Sequence, residues 1–297
     1  MDALCCPYSD TQGNSQEAVK SIFNTKPEGR VCILSRQSME GSVAEGYDRL
    51  GKEGRGETYQ KIVEDFKKST DCYGEKHLAD GLSIGTIVEV GSGSGLICLE
   101  LAKQTNGDII GIELSSDMIR LAENNLKNAT IEKHQVAQEF QKRIKACKYG
   151  ETKLAVEFRQ GDAQNLAPVL MDKKNINYVV CRNSLHRFQN PKKAIQEMFS
   201  LLAPGGKIYI RDLKRDADWK TIVDRIGENR WKQPELVVDY IGAMAGMLTT
   251  EELGGILTEL EIKNFLIRDG YYEVGNATNS GIKEYAEEVE YVCVITK

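Results

Sequence analysis

Thr86-Ile87-Val88-Glu89-Val90-Gly91-Ser92-Gly93-Ser94-Gly95-Leu96 runs from five strand-forming residues into a turn in which every second residue is glycine. Ile, Val and Thr favour extended backbone, and a short, mainly apolar run suits a strand buried on both faces. The three glycines remove Cβ atoms that would hold a ligand away from the backbone. Leu96, Ile97, Leu99, Leu101 and Ala102 then open a helix whose first N–H groups face the turn. Strand, glycine turn and helix N-terminus together predict a site for a nucleotide-like molecule.

A second strand, Asp108-Ile109-Ile110-Gly111-Ile112-Glu113, ends in a carboxylate about twenty residues further on, where a doubly wound sheet places the acid that accepts hydrogen bonds from ribose hydroxyls. The dinucleotide fingerprint GxGxxG does not fit, because Leu96 stands where its third glycine would be. The pattern is GxGxG with Glu89 two residues ahead. An acid there repels a pyrophosphate and suits an ammonium.

The chain resembles the class I S-adenosylmethionine-dependent methyltransferases, in their small-molecule and quinone-methyltransferase branch. Five separated segments carry the likeness. Glu89 to Gly95 resembles the first motif, Gly111-Ile112-Glu113-Leu114-Ser115 the second, and Gln160-Gly161-Asp162-Ala163 the segment that meets the adenine. Tyr178-Val179-Val180-Cys181-Arg182-Asn183-Ser184-Leu185-His186-Arg187-Phe188 is similar to the fourth strand and its "S-L-H-H-F" sequel. Leu201 to Ile210, with Pro204-Gly205-Gly206, is similar to the turn into strand five. The likeness implies an α/β fold, a Rossmann-like, doubly wound, mostly parallel seven-stranded sheet with an N-terminal helical cap, and S-adenosyl-L-methionine as cofactor. It also implies roles: Gly91, Gly93 and Gly95 at the methionyl part, Glu113 on the ribose, Asp162 and Ala163 on the adenine edge, and Leu114 or Met118 on its face. Asn183 is expected at the donor's amino group or the substrate. Tyr47, in a "Y-D-x-L" segment with Asp48 and Leu50, is expected at the donor's carboxylate.

Methyl transfer is an in-line displacement, so positioning and exclusion of water carry much of the rate. His186, just after strand four, is a candidate general base for a hydroxyl or amine acceptor, because histidine is the side-chain type that suits proton transfer near neutral pH; packing beneath the turn is the structural alternative. Asp212 at the end of strand five is a second candidate base. Arg182 or Arg211 offers a planar fork for a substrate carboxylate, against a salt bridge as the plainer role. Trp219, Trp231, Tyr240, Met244 and Met247 are pocket or core residues. Two rival functions remain at this point: a nicotinamide-dependent oxidoreductase, and a non-catalytic donor-binding subunit.

The chain of 297 residues carries a formal charge of -5, which lacks the basic footprint of a nucleic-acid binder. No apolar run approaches the ~18 residues of a membrane span, and the N-terminus has no signal-peptide pattern, so the cytoplasm is the expected compartment. Eight cysteines show no CxxC spacing and read as reduced core thiols, with no metal site expected. The expected partner is a small-molecule or peptide substrate, with neither nucleic acid nor membrane.

Three zones follow. Residues 1–80 read as a helical cap, with helical spacing at Gln16–Phe23 and Thr58–Phe66 joined by a glycine-rich stretch from Gly41 to Gly56. Residues 81–297 read as the catalytic core. Within it lie a helical insertion near 129–150, either surface packing or a homodimer contact or lid, and cap helices near 215–260. Strands are expected at Glu261–Ile267 and Glu290–Ile295, paired antiparallel at one edge.

Overall fold

In this computed structural model, residues 39–54, 56–72, 84–105, 107–129, 156–217, 239, 242–270 and 289–297 are described. The helix expected at Gln16–Phe23, the insertion after residue 129, Trp219, Trp231 and Tyr240 lie outside them.

Seven strands form one sheet. β1 (Thr86–Val90), β2 (Asp108–Glu113), β3 (Val156–Gln160), β4 (Ile176–Arg182), β5 (Leu202–Leu213), β6 (Phe265–Asp269) and β7 (Glu290–Thr296) stand in the order β3-β2-β1-β4-β5-β7-β6. The first five are mutually parallel, and β7 inserts antiparallel between β5 and β6. The expected antiparallel edge is therefore present, although its outer strand begins at Phe265 because Glu261 takes a left-handed φ of 58° and turns the chain. Strand order reverses between β1 and β4, and a crevice opens at their carboxyl ends, where open α/β sheets bind ligands.

Every β1 residue is buried, as the apolar run predicts for a central strand. Alternation then assigns the faces. Ile87, Ile109, Val180, Tyr209 and Val292 join Ile62 and Phe66 and the helical Leu101 in one core layer. Val88, Ile110, Val179, Ile210 and Cys293 join Ile195, Met198 and Leu257 in the other. The helices α1 (Gly41–Gly54), α2 (Gly56–Thr70), α3 (Leu96–Gln104), α4 (Ser116–Asn128), α5 (Pro191–Leu201) and α6 (Thr250–Glu259) supply these layers. Their starts are chemically marked. Ser115 caps α4 by accepting from Met118 N–H, Asn190 caps α5 ahead of Pro191, and Thr249 with Glu252 forms a reciprocal box on α6.

The stretch from Gly41 to Gly54, expected as a joining segment, is helical. Gly51 serves close approach: a Cβ on it would stand 2.5 Å from Leu96 Cδ1 and 3.0 Å from Tyr59 Oη. Asn125 Nδ2 donates to Asp48 Oδ1 and to Ser94 O, at 2.8 and 2.9 Å, which ties α1 to the glycine turn. Cys72, Cys98, Cys181 and Cys293 are free and buried, as core thiols. Met244 and Met247 are likewise buried among the core hydrophobics.

Arg211 is the largest fully buried side chain. Its Nε donates to Glu290 Oε2 at 2.7 Å, and Nη1 lies 3.4 Å from Asp65 Oδ2. Arg211 is thus a buried structural cation on the α2 face, and its fork is not offered to a substrate. Removing one partner of a buried pair leaves a charge without compensation. Glu290→Ala is expected to cost about 3 to 5 kcal/mol of stability by that argument, read as a shift of the denaturation midpoint. A shift within error of zero would show the pair to be dispensable.

Candidate active site

The crevice holds a cavity of about 210 Å³. Its wall contains Tyr47, Glu89, Gly91, Gly93, Glu113, Leu114, Met118, Asp162, Ala163, Asn183 and His186, drawn from five separate stretches of sequence. Gly95 and Asp212 are not in it.

The glycine turn is held by the end of β2. Gly91 N–H and Ser92 N–H both donate to Ile112 O, at 2.8 and 3.0 Å, and Gly93 N–H donates to Glu113 Oε2 at 2.9 Å. All three glycines take positive φ, 75°, 53° and 78° in order. Their surroundings differ. A Cβ on Gly91 would meet Ser184 Oγ at 2.5 Å, one on Gly95 would meet Phe158 Cζ at 2.4 Å, and one on Gly93 meets nothing within 4 Å. Gly91 and Gly93 line the cavity, Gly93 with open space where a Cβ would stand; Gly95 does not line it, and its missing Cβ makes room for Phe158 of β3.

The Glu113 carboxylate is fixed by the backbone around it. Besides Gly93, its Oε1 accepts from Leu114 N–H and Ser115 N–H at 2.8 and 3.0 Å. Three backbone donors orient the carboxylate and leave acceptor capacity on Oε2. Asp162 forms an Asx turn, accepting from Gln164 N–H at 2.9 Å, beside the buried Ala163.

Glu89 is buried and accepts from the Cys98 thiol at 2.9 Å. Burial, offset in part by that thiol and by the Arg182 charge, pushes its pKa up to about 8. The same burial raises the Tyr59 phenol, which shares this end of the cavity. Arg182 lies on the same wall, its guanidinium carbon 5.8 Å from the centre of the Tyr59 ring.

His186 and Asp212 come from different elements. His186 lies in the short 3-10 turn Leu185–Arg187 after β4, and Asp212 near the end of β5. His186 Nδ1 is 2.5 Å from Asp212 Oδ1, and its backbone N–H donates to Oδ2 at 3.0 Å. Both are buried. Asp212 also accepts from Leu213 N–H at 2.8 Å. Two candidate bases are thereby one unit: Asp212 stands behind the imidazole and orients it.

Sequence reading passed over Arg187. Its two Nη atoms donate to the two oxygens of Asp239, at 2.9 and 2.5 Å, and Nη2 also donates to Tyr47 Oη at 3.1 Å. Tyr47 in turn donates to Asp239 at 2.9 Å. This cluster joins α1, the turn after β4 and the segment before α6 at the cavity. Its signal was visible as the arginine standing where the resembling segment has its second histidine.

Ser92 Oγ, Arg182 Nε and Asn183 Oδ1 are buried polar atoms with no hydrogen-bond partner among the described residues. A native fold seldom leaves such atoms unmet, and three of them on one cavity wall mark places for a ligand's polar groups. An amino-acid end, a ribose and an adenine match the acids, the cation and the open glycine of this wall.

The methyltransferase-domain family matches residues 26–245 of the chain, and the chain belongs to it. It has the class I methyltransferase fold. The arsenite methyltransferase of Aquipseudomonas alcaligenes is 25% identical over 141 residues, which span 47% of this chain and 35% of that protein. Among solved structures, the plantazolicin methyltransferase BamL, in complex with a triazolic desmethylPZN analog and SAH, superposes with a TM-score of 0.60 at 14% identity, covering 97% of this chain and 99% of that one. A SAM-dependent methyltransferase from Aquifex aeolicus superposes with a TM-score of 0.53 at 12% identity, covering 85% and 97%. These superpositions establish the fold. No described helix is long and apolar enough to cross a membrane.

Two outcomes test this geometry. Glu113→Ala removes the carboxylate expected to accept from the ribose and also frees Gly93 N–H, so donor affinity is expected to fall by about 10- to 100-fold, the worth of hydrogen bonds to a charged group, with a lower melting temperature. Unchanged affinity by calorimetry would place the ribose elsewhere. For Glu89, the folded chain holds a proton that the unfolded chain has lost between pH 4.5 and about 8. Its contribution to stability therefore declines as pH rises across that window and is level above it. Glu89→Gln, neutral throughout, should remove this decline in denaturant titrations at pH 5.5 and 8; identical pH dependence in both proteins would show Glu89 ionised in the fold.

Proposed function

We propose that the protein transfers a methyl group from S-adenosylmethionine to a hydroxyl or amine of a small metabolite or peptide-derived natural product, with His186 as the general base. The observation that carries this reading is the 2.5 Å contact of Asp212 with His186, the member of the pair that lines the cavity. A neutral acceptor O–H or N–H becomes a better nucleophile as its proton leaves, and an imidazole held by a carboxylate is suited to receive it. With Nδ1–H donating to Asp212, the lone pair sits on Nε2, the nitrogen that takes the proton.

Bound in the cavity, the donor supplies an electrophilic methyl group and leaves as a neutral thioether. The chain's own share is placement. Glu113, Gly93, Asp162 and Ala163 hold the adenosine part, Leu114 and Met118 flank the ring, and Tyr47 with Arg187 and Asp239 closes one side against water. Arsenite is not proposed as acceptor: among the described residues no cysteine lines the cavity, and no cluster of three or more metal-binding side chains occurs. A cytoplasmic setting and the absence of nucleic-acid or membrane partners belong to the same reading, supported by the acidic net charge.

His186→Ala is expected to lower turnover by about 100-fold or more at neutral pH, the usual share of general base catalysis, with donor affinity little changed. The loss should shrink as pH rises and the acceptor ionises unaided. Asp212→Asn should follow it in direction. A folded His186→Ala protein with parental turnover removes the base, and no label transfer from methyl-labelled donor to any metabolite fraction would favour a donor-binding regulatory subunit instead.

A further inference from the structure

His186 and Asp212 stand on different elements, and one further stretch of chain meets both of those elements. Residues 242–245 form a helical turn that closes at Gly246, whose N–H donates to Ala243 O at 3.0 Å. Gly246 is buried against the backbone of the candidate base: a Cβ there would overlap the His186 carbonyl oxygen and stand 3.3 Å from the carbonyl carbon. Its φ lies outside the left-handed region, so glycine is needed here for space and not for backbone freedom. Earlier in the same stretch, Asp239 accepts from both Nη atoms of Arg187, the neighbour of His186 in the 3-10 turn, and Tyr47 Oη bonds to each member of that pair. Later in it, Leu248 bridges to Lys214 and its carbonyl accepts from Arg215 N–H at 3.1 Å, just past the strand end that carries Asp212. Asp239 and Gly246 thus hold the turn of the imidazole, and Leu248 holds the strand of its carboxylate.

We propose that Asp239 and Gly246 are positioning residues for the base: they brace the turn Leu185–Arg187 against the end of β5 and so hold the His186 imidazole where Nδ1–H meets Asp212 and Nε2 is left for the acceptor's proton. The inference rests on the reading of His186 as general base. A three-residue 3-10 turn has few bonds of its own and poorer hydrogen-bond geometry than an α-helix, here Arg187 N–H to Ser184 O at 2.9 Å and Phe188 N–H to Leu185 O at 3.2 Å. Catalytic groups must be held to within about 0.5 Å, a precision that such a turn takes from what packs on it. The Gly246 contact is backbone against backbone, so neither side can rotate away from an added methyl group. Because Asp212 also accepts from the His186 backbone N–H, a displaced turn changes both of the bonds that set the ring.

The test reads the imidazole directly and needs no acceptor. The chain has three histidines, so spectra of the full chain with nitrogen-labelled histidine contain three rings, and His186→Gln identifies the one of interest. In the parent, neutral His186 should appear as the single tautomer with its proton on Nδ1. Gly246→Ala should shift the His186 signals or mix its tautomers, while the other two rings and the calorimetric affinity for S-adenosylhomocysteine stay as in the parent. Asp239→Asn, which adds no heavy atom, should move His186 in the same sense and carries the comparison if Gly246→Ala does not fold. A folded variant with a lower melting temperature and parental His186 signals shows ordinary packing and overturns the assignment. So does a parent protein in which His186 already populates both tautomers. Parental turnover of His186→Ala is a separate result: it removes the base itself, whatever the spectra show, and the positioning role falls with it.

Discussion

The end of β2 is the anchor on which the site is built. Three successive N–H groups of the glycine turn, from Gly91, Ser92 and Gly93, are accepted there by Ile112 O and the Glu113 carboxylate. That arrangement requires a chain able to hold left-handed backbone at alternate positions, which glycine does at little cost. It turns the chain from β1 into α3, leaves Gly93 open to the cavity and positions Glu113 between two turns. Gly161 N–H donates to Glu113 O at 2.8 Å, so the segment after β3 is tied to the same point. Three of the four loops that form the crevice thus meet at one strand end.

The sheet separates the buried charges by face. Glu89, Arg182, Arg211 and Glu290 project toward α2 and α3, whereas Asp212 projects to the opposite face beneath His186. Parallel register alone accomplishes this, since neighbouring residues on a strand point to opposite sides. Arg211 and Asp212 are adjacent in the chain and have unrelated roles for that reason: one completes a buried ion pair with Glu290, the other orients an imidazole. Low dielectric sharpens both roles. It makes an unpartnered Arg182 costly and raises the pKa of Glu89.

Several residues were misread from sequence because their meaning depends on neighbours distant along the chain. Gly95 matched a ligand-facing motif, but Phe158 of β3 occupies the space beside it. Gly41–Gly54 looked like a joining stretch because glycine lowers helix propensity; contact with Leu96 and Tyr59 requires a residue as small as glycine at position 51 and outweighs that cost. His186 and Asp212 were separate candidates until β4 and β5 paired and brought them within 2.5 Å. Arg187 had no visible role until Asp239 and Tyr47 closed on it.

Local pattern by itself determined the strands, the helix starts, the glycine turn and the strand-end acid. Apolar runs, capping residues and glycine spacing act over a few residues, where one stretch of chain contains all the interacting parts. From those motifs the class of protein was legible before any coordinate. Tertiary structure decided which polar groups are satisfied and which are left waiting. Arg182 and Arg211 are the same residue type at the ends of neighbouring strands, paired with each other in register. One meets a buried glutamate and the other a cavity, because hydrogen bonding and burial depend on distances between strands that chain order does not encode.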